Sequence, residues 1–147
     1  MPDQVAHPRP DQAPPVPGRL RLNVTSDPAN LASVRHACEA YCRQCGLDEA
    51  AAGDVGLCVN EAMANVIRHA YFGATDRPVE IAGWSDATAV YVSIRDWGSG
   101  QVPKLRSKRD PLTPGGLGMV CLRELLDDVV YEPQPDGMLL TMTKRRA

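Results

Sequence analysis

Between Asp48 and about Tyr71 the aliphatic residues Val55, Val59, Ala62 and Val66 fall at i, i+4, i+7 and i+11, one face of an α-helix. Gly53 and Gly56 weaken its first turns. Such a ridge is stable only against a second apolar layer. The residues that follow supply one: two short runs, Val79–Trp84 and Ala89–Arg95, are joined by a tight turn at Ser85-Asp86. In the second run Val90, Val92 and Ile94 alternate with Tyr91, Ser93 and Arg95, the period of a strand. A long helix next to a strand pair predicts an α+β domain.

The rest of the chain extends that order. Leu20-Arg21-Leu22-Asn23-Val24 alternates as a strand. Ser26-Asp27-Pro28 offers a capping side chain ahead of a first-turn proline, so a helix is expected through Leu31, Val34, Cys38, Tyr41 and Cys45 to a C-cap at Gly46. Residues 97–114 are rich in glycine, proline and charge and read as a long lid or binding loop. A short helix over about Leu117–Leu126 and a hairpin of Val129–Glu132 with Leu139–Lys144, turning at Pro135-Asp136-Gly137, complete a two-layer α/β sandwich.

With 147 residues the chain has room for one domain, over 19–147, behind a proline-rich tail over 1–18 expected to be disordered. Aromatic residues are only 5% of the chain, so the core must be aliphatic. A net charge of −2 gives no pull toward nucleic acid or an anionic membrane. No apolar run approaches the roughly 18 residues of a membrane span, and the N-terminus lacks the apolar core of a signal peptide, so a cytoplasmic protein with free thiols is expected.

Three constellations carry chemistry. Glu61, Asn65 and Arg68 form one polar row along the second helix, roughly opposite its apolar ridge; an isolated row of this kind is usually a solvated face. Asp96-Trp97-Gly98-Ser99-Gly100 follows a strong strand, where a carboxylate can accept from an exocyclic amine and glycines admit a planar base to the backbone; alone it reads equally as a turn. Gly115-Gly116-Leu117-Gly118-Met119 opens a helix whose exposed N–H groups suit phosphate oxygens, with a lid hinge as the plainer reading.

Taken together and in this order, N65-x3-H69-A70-Y71, D96-x-G98-x-G100 and G116-x-G118 resemble the N, G1 and G2 boxes of the GHKL ATP-binding superfamily, the Bergerat fold. N60-E61-A62-M63-A64-N65 with R68-H69-A70-Y71 and G115-G116-L117-G118-M119 closely resembles the RsbW/SpoIIAB anti-sigma factor serine kinases, over about residues 20–145. The resemblance implies a mixed, mostly antiparallel sheet covered by helices on one face. It implies ATP and Mg2+ as cofactors, with Asn65 coordinating the magnesium ion and Asp96 anchoring adenine. Gly98 and Gly100 would floor the base, Gly115, Gly116, Leu117, Gly118 and Met119 would cradle phosphates, and Arg68 would lie near them. Glu61 would be the general base. A serine hydroxyl must lose a proton as it attacks phosphorus, which a neutral imidazole need not, so a glutamate favours transfer to a hydroxyl or water. The family usually carries a threonine after the glycine that opens the last strand; here Met138 follows Gly137, leaving Thr141 as the nearest candidate for the adenine side.

The implied partners are a sigma factor, held inactive, and a STAS-domain anti-sigma factor antagonist that receives the phosphate. A homodimer is expected, with no direct nucleic-acid or membrane contact. A nucleotide-dependent sigma-factor trap with weak or absent kinase activity is the alternative. A sensor histidine kinase needs a phosphoacceptor helix upstream and a gyrase-like ATPase a transducer domain downstream, so both fit less well. Cys38-x3-Cys42-x2-Cys45 matches the spacing of a radical-SAM loop and His36 invites a zinc site, but i, i+4, i+7 is the spacing of a core stripe. His69 reads as a satisfied polar residue near the site. The lid cations Lys104, Arg106, Lys108 and Arg109, and the basic end Lys144-Arg145-Arg146, read as solvated.

Overall fold

A computed structural model describes residues 18–100 and 122–146. Residues 1–17 of the tail expected over 1–18, residues 101–114 of the lid, and Gly115 through Met119 lie outside the described residues. Strand β1 spans Leu20–Thr25, followed by a 3-10 turn over Pro28–Asn30, helix α1 over Leu31–Gln44 and helix α2 over Glu49–Asn65. Strands β2 (Pro78–Ser85), β3 (Ala89–Asp96), β4 (Asp128–Gln134) and β5 (Gly137–Arg145) follow. Residues 122–125 are helical, the end of the short helix expected before β4.

Local chemistry sets the helix ends. The Ala29 amide donates to Asp27 Oδ1 (2.9 Å), and Pro28 occupies a first-turn position where its missing N–H costs nothing. Gly46 closes α1 at φ +96°, a conformation open to glycine without strain, and Asp48 caps α2 by accepting from Ala51 N at 2.8 Å. Of the two glycines in the first turns of α2, Gly53 has open space around it, whereas a side chain at Gly56 would collide with the Glu39 side chain of α1.

The sheet order is β1-β2-β3-β5-β4. A mixed, mostly antiparallel sheet was expected; each of the four ladders is antiparallel. Both helices cover one face, where Val34, Cys38, Cys42, Val55, Cys58, Val59, Ala62 and Met63 pack on Val79, Ile81, Val90, Val92, Ile94, Leu140 and Met142. Burying a side chain of this size contributes about 1.5–3 kcal/mol, so this layer dominates folding. Cys38 and Cys42 are fully buried in it, and no group of potential metal ligands occurs among the described residues. On the opposite face Trp84 stacks on Tyr91 (ring centroids 5.6 Å apart) beside Ala82 and Ala89.

After Asn65 the helix widens into one π turn over Val66–Ala70, closed by Tyr71 N donating to Val66 O at 3.1 Å. Single π turns inside helices are rare and recur at functional sites. Gly73 N then donates to Ile67 O (2.8 Å), with Phe72 (φ 53°) and Gly73 (φ 85°) in the left-handed region as the chain turns toward β2.

Candidate functional site

The alternation of β3 aims Asp96 at the same face as Val90, Val92 and Ile94, toward the helices. Asn65 lies on the facing side of α2, and the two line one cavity with Ala62, Val66, Ile94, Leu122, Tyr131, Met138 and Leu140. Asn65 is only 3% exposed, so the polar row does not stand opposite the apolar ridge as expected. It runs along the ridge's flank, and the end of α2 tucks its amide into the core. Arg68 Nη2 donates to Asn65 Oδ1 at 2.9 Å, fixing which way that amide oxygen points. Glu61 sits one turn earlier on α2 and is partly exposed.

Asp96 is 2% exposed. Burial pushes its carboxyl up, while the Gly98 amide, donating to Oδ1 at 2.9 Å, the Arg95 charge and the Met138 backbone draw it down. A buried carboxylate among aliphatic neighbours is stabilised by any further donor, which suits it to an exocyclic amine.

The Trp97–Gly100 loop is fixed against the end of the π turn that follows α2. Gly100 N donates to Ala70 O (3.1 Å), and Tyr71 Oη donates to Pro78 O (2.5 Å) while accepting from Trp97 N (2.8 Å). A Cβ at Gly98 would strike the Ala70 carbonyl, and one at Gly100 the His69 carbonyl. These glycines therefore admit the protein's own π turn, a closer requirement than the approach of a base. Within N65-x3-H69-A70-Y71 nothing local marks Tyr71 for this role, because both hydrogen bonds of its hydroxyl are tertiary.

Next to this loop a cleft of about 550 Å³ opens between Trp97–Gly100 and the β4–β5 turn, Pro133–Met138. It falls within the range of ligand pockets, roughly 300–1,000 Å³. The Asp96 cavity itself measures about 10 Å³, close to the room needed by one water. Met138 borders both spaces and is the β5 residue paired with Asp96.

Thr141, expected on the adenine side, lies elsewhere. It pairs with Ser93, and its neighbours Leu140 and Met142 point to the helices, so its side chain lies on the far face of the sheet. It cannot contact the Asp96 cavity. It lies three positions after Met138, and an odd offset on a strand reverses the face. Gly115, Gly116, Leu117, Gly118 and Met119 lie outside the described residues.

The residues present fit an adenine nucleotide in chemistry: one buried acceptor, aliphatic walls for a flat ring, and an amide oxygen beside a guanidinium where phosphates and their cation would lie. In volume they do not: the cavity at Asp96 is far smaller than a base.

A helix-covered antiparallel sheet with a buried strand-end aspartate facing a helix asparagine defines a nucleotide-binding class, and the chain belongs to the histidine kinase-like ATPase domain family, whose model matches residues 24–144. Within it the chain is RsbW/SpoIIAB-like, of the GHKL type, which supports an anti-sigma factor kinase role at the level of the family and the ATP binding that the domain implies. The anti-sigma F factor of Bacillus licheniformis is 29% identical over 99 residues, covering 62% of this chain and 67% of that protein. That of Bacillus velezensis is 30% identical over the same length and coverage. The fold matches a crystal structure of the RsbU and RsbW domains of a Mycobacterium tuberculosis protein (TM-score 0.65, 19% identity, 90% of this chain), of which this chain spans about a third, 34%. It also matches the histidine kinase domain of a blue-light activated kinase from Erythrobacter litoralis (TM-score 0.53, 17% identity, 80% of this chain and 59% of that one). No described helix is long and apolar enough to cross a membrane.

Proposed function

We propose that the chain is a cytoplasmic protein-serine kinase and anti-sigma factor that binds Mg-ATP, sequesters a sigma factor and phosphorylates a STAS-domain antagonist. The observation that carries this is the shared cavity of Asp96 and Asn65, with Glu61 one helical turn from Asn65. Asp96 accepts from the adenine amine. Asn65, whose Oδ1 accepts from Arg68, would hold the magnesium ion, which would supply charge neutralisation of the phosphates. Glu61 takes the proton of the acceptor hydroxyl as its oxygen bonds to the γ-phosphorus and the bond to the bridging oxygen breaks. Gly115, Gly116, Leu117, Gly118 and Met119 cradle the phosphates, and the chain acts as a homodimer.

A second reading is favoured by Met138. It stands where the family has a small polar residue, borders the narrow cavity, and has no replacement in Thr141, which faces away. In that reading the chain is a nucleotide-dependent sigma-factor trap with little kinase activity.

The test is to incubate the protein with labelled ATP, magnesium and a STAS-domain protein, comparing wild type with Glu61→Ala. Label on a serine that depends on Glu61 is expected. Transfer untouched by the substitution removes Glu61 as the base. ATP binding without transfer selects the trap.

A further inference from the structure

We infer that Arg95 is a positioning residue for nucleotide binding, a single guanidinium that ties together the two walls of the 550 Å³ cleft. The inference rests on the nucleotide reading above. Arg95 pairs with Leu139 on the outer side of β3, so it does not face the Asp96 cavity. Its head nevertheless meets both walls. Nη2 donates to Asp136 Oδ1 (2.6 Å) in the β4–β5 turn, and Cζ lies 4.5 Å from the centroid of the Trp97 ring in the opposite loop. Nη1 donates to the carbonyl of Asp96, the residue whose side chain anchors the base.

Three properties make this more than a surface ion pair. The Arg95 side chain is 16% exposed, although its partner Asp136 is 63% exposed. A planar fork can hold a carboxylate and a carbonyl while stacking on an indole, which an ammonium cannot do. Gly137 leaves room for the arrangement: it has φ +155°, and a Cβ there would strike the Asp96 carbonyl and crowd Arg95 Nη1. Releasing the guanidinium frees Trp97 from Asp136 and lets the strand-end peptide carrying Asp96 shift, so the cleft loses its width and the anchor its aim. Arg95 acts through Asp96 and Trp97 and touches no reacting atom.

The test measures ADP affinity by calorimetry for wild type, Arg95→Gln, Arg95→Lys, Asp136→Asn and the Arg95→Gln/Asp136→Asn double variant. Arg95→Gln should weaken binding about tenfold, and Asp136→Asn about threefold because its exposed carboxylate is screened. The double variant should be no weaker than Arg95→Gln alone, since both cut one linkage. Arg95→Lys should not restore affinity. In a Trp84→Phe background, Trp97 emission should shift to longer wavelength with Arg95→Gln, with or without ADP. Affinity within twofold of wild type in Arg95→Gln, or effects that multiply in the double variant, overturns the inference while leaving the nucleotide reading intact. A wild type that binds no ADP overturns both. Asp136→Asn, on an exposed turn, keeps the test open if Arg95→Gln unfolds.

Discussion

Replacing Tyr71 with phenylalanine removes one hydroxyl and keeps the ring. That hydroxyl joins three segments, since it extends from the end of the π turn, donates to Pro78 at the start of β2 and accepts from Trp97 just past β3. Two hydrogen bonds at about 1 kcal/mol net each, plus part of the cost of leaving a partly buried carbonyl and amide without a partner, give a loss of about 2–3 kcal/mol. Trp97 is 40% exposed, so water can reach its amide and the lower end is expected. For a domain of this size each kcal/mol moves Tm by about 3–4 °C, so a loss of about 2 kcal/mol should lower Tm by about 6–8 °C. Urea unfolding should show a lower midpoint with unchanged slope. Burial pushes the Tyr71 phenol above its ordinary value, so it stabilises the fold below about pH 10 and that contribution fades as pH rises through the higher folded value. The phenylalanine variant should lack this alkaline loss. A stability change under about 0.5 kcal/mol would refute the linkage of the three segments through this oxygen.

Met138→Thr should raise ADP affinity several-fold by removing bulk from the Asp96 cavity, read by calorimetry; an unchanged affinity would show that Met138 does not limit entry. Burial pushes the thiols of Cys38 and Cys42 up to about 12, so neither should react with a thiol reagent at pH 8 in the folded protein, whereas half-buried Cys45 should; fast modification of Cys38 would contradict the packed α1–α2 layer. Slight burial tends to raise Asp86, but bonds from Tyr91 Oη, Thr88 and Ala89 N prevail and hold it at about 2. Its stabilising effect is present above the ordinary carboxylate value and lost as pH falls through about 2, so Asp86→Asn should lower Tm at neutral pH and flatten the acid limb of a stability–pH profile between about pH 4 and 2.

The elements that were legible had strong local causes. Asp27 and Asp48 are capping side chains, Gly46 is a left-handed stop, and Val55, Val59, Ala62 and Val66 repeat at the helical period. The approach of Asn65 to Asp96, 31 positions apart, was legible only through the resemblance, because nothing local relates a helix face to a strand end. What escaped the sequence depended on geometry over distance. The π turn after Asn65 exchanges one hydrogen-bond length for another without any change in composition. The face of Thr141 follows from counting back to Gly137 at the hairpin, and a threonine's polarity does not betray an error in that count. In the sequence Gly98 and Gly100 look like space for a ligand, since the carbonyls of His69 and Ala70 that require that space belong to a different element.

The strand order has a consequence for how the chain acquires its shape during synthesis. β5 lies between β3 and β4, so β4 emerges from the ribosome before its partner exists, and β3 keeps one side unpaired until then. Asp96 obtains its neighbour Met138 only when the turn at Pro135-Asp136 has formed and the returning strand slides into the gap. Such late, long-range pairing slows folding. The nascent molecule therefore completes its sheet, and with it the surroundings of Asp96, only after β5 has been made.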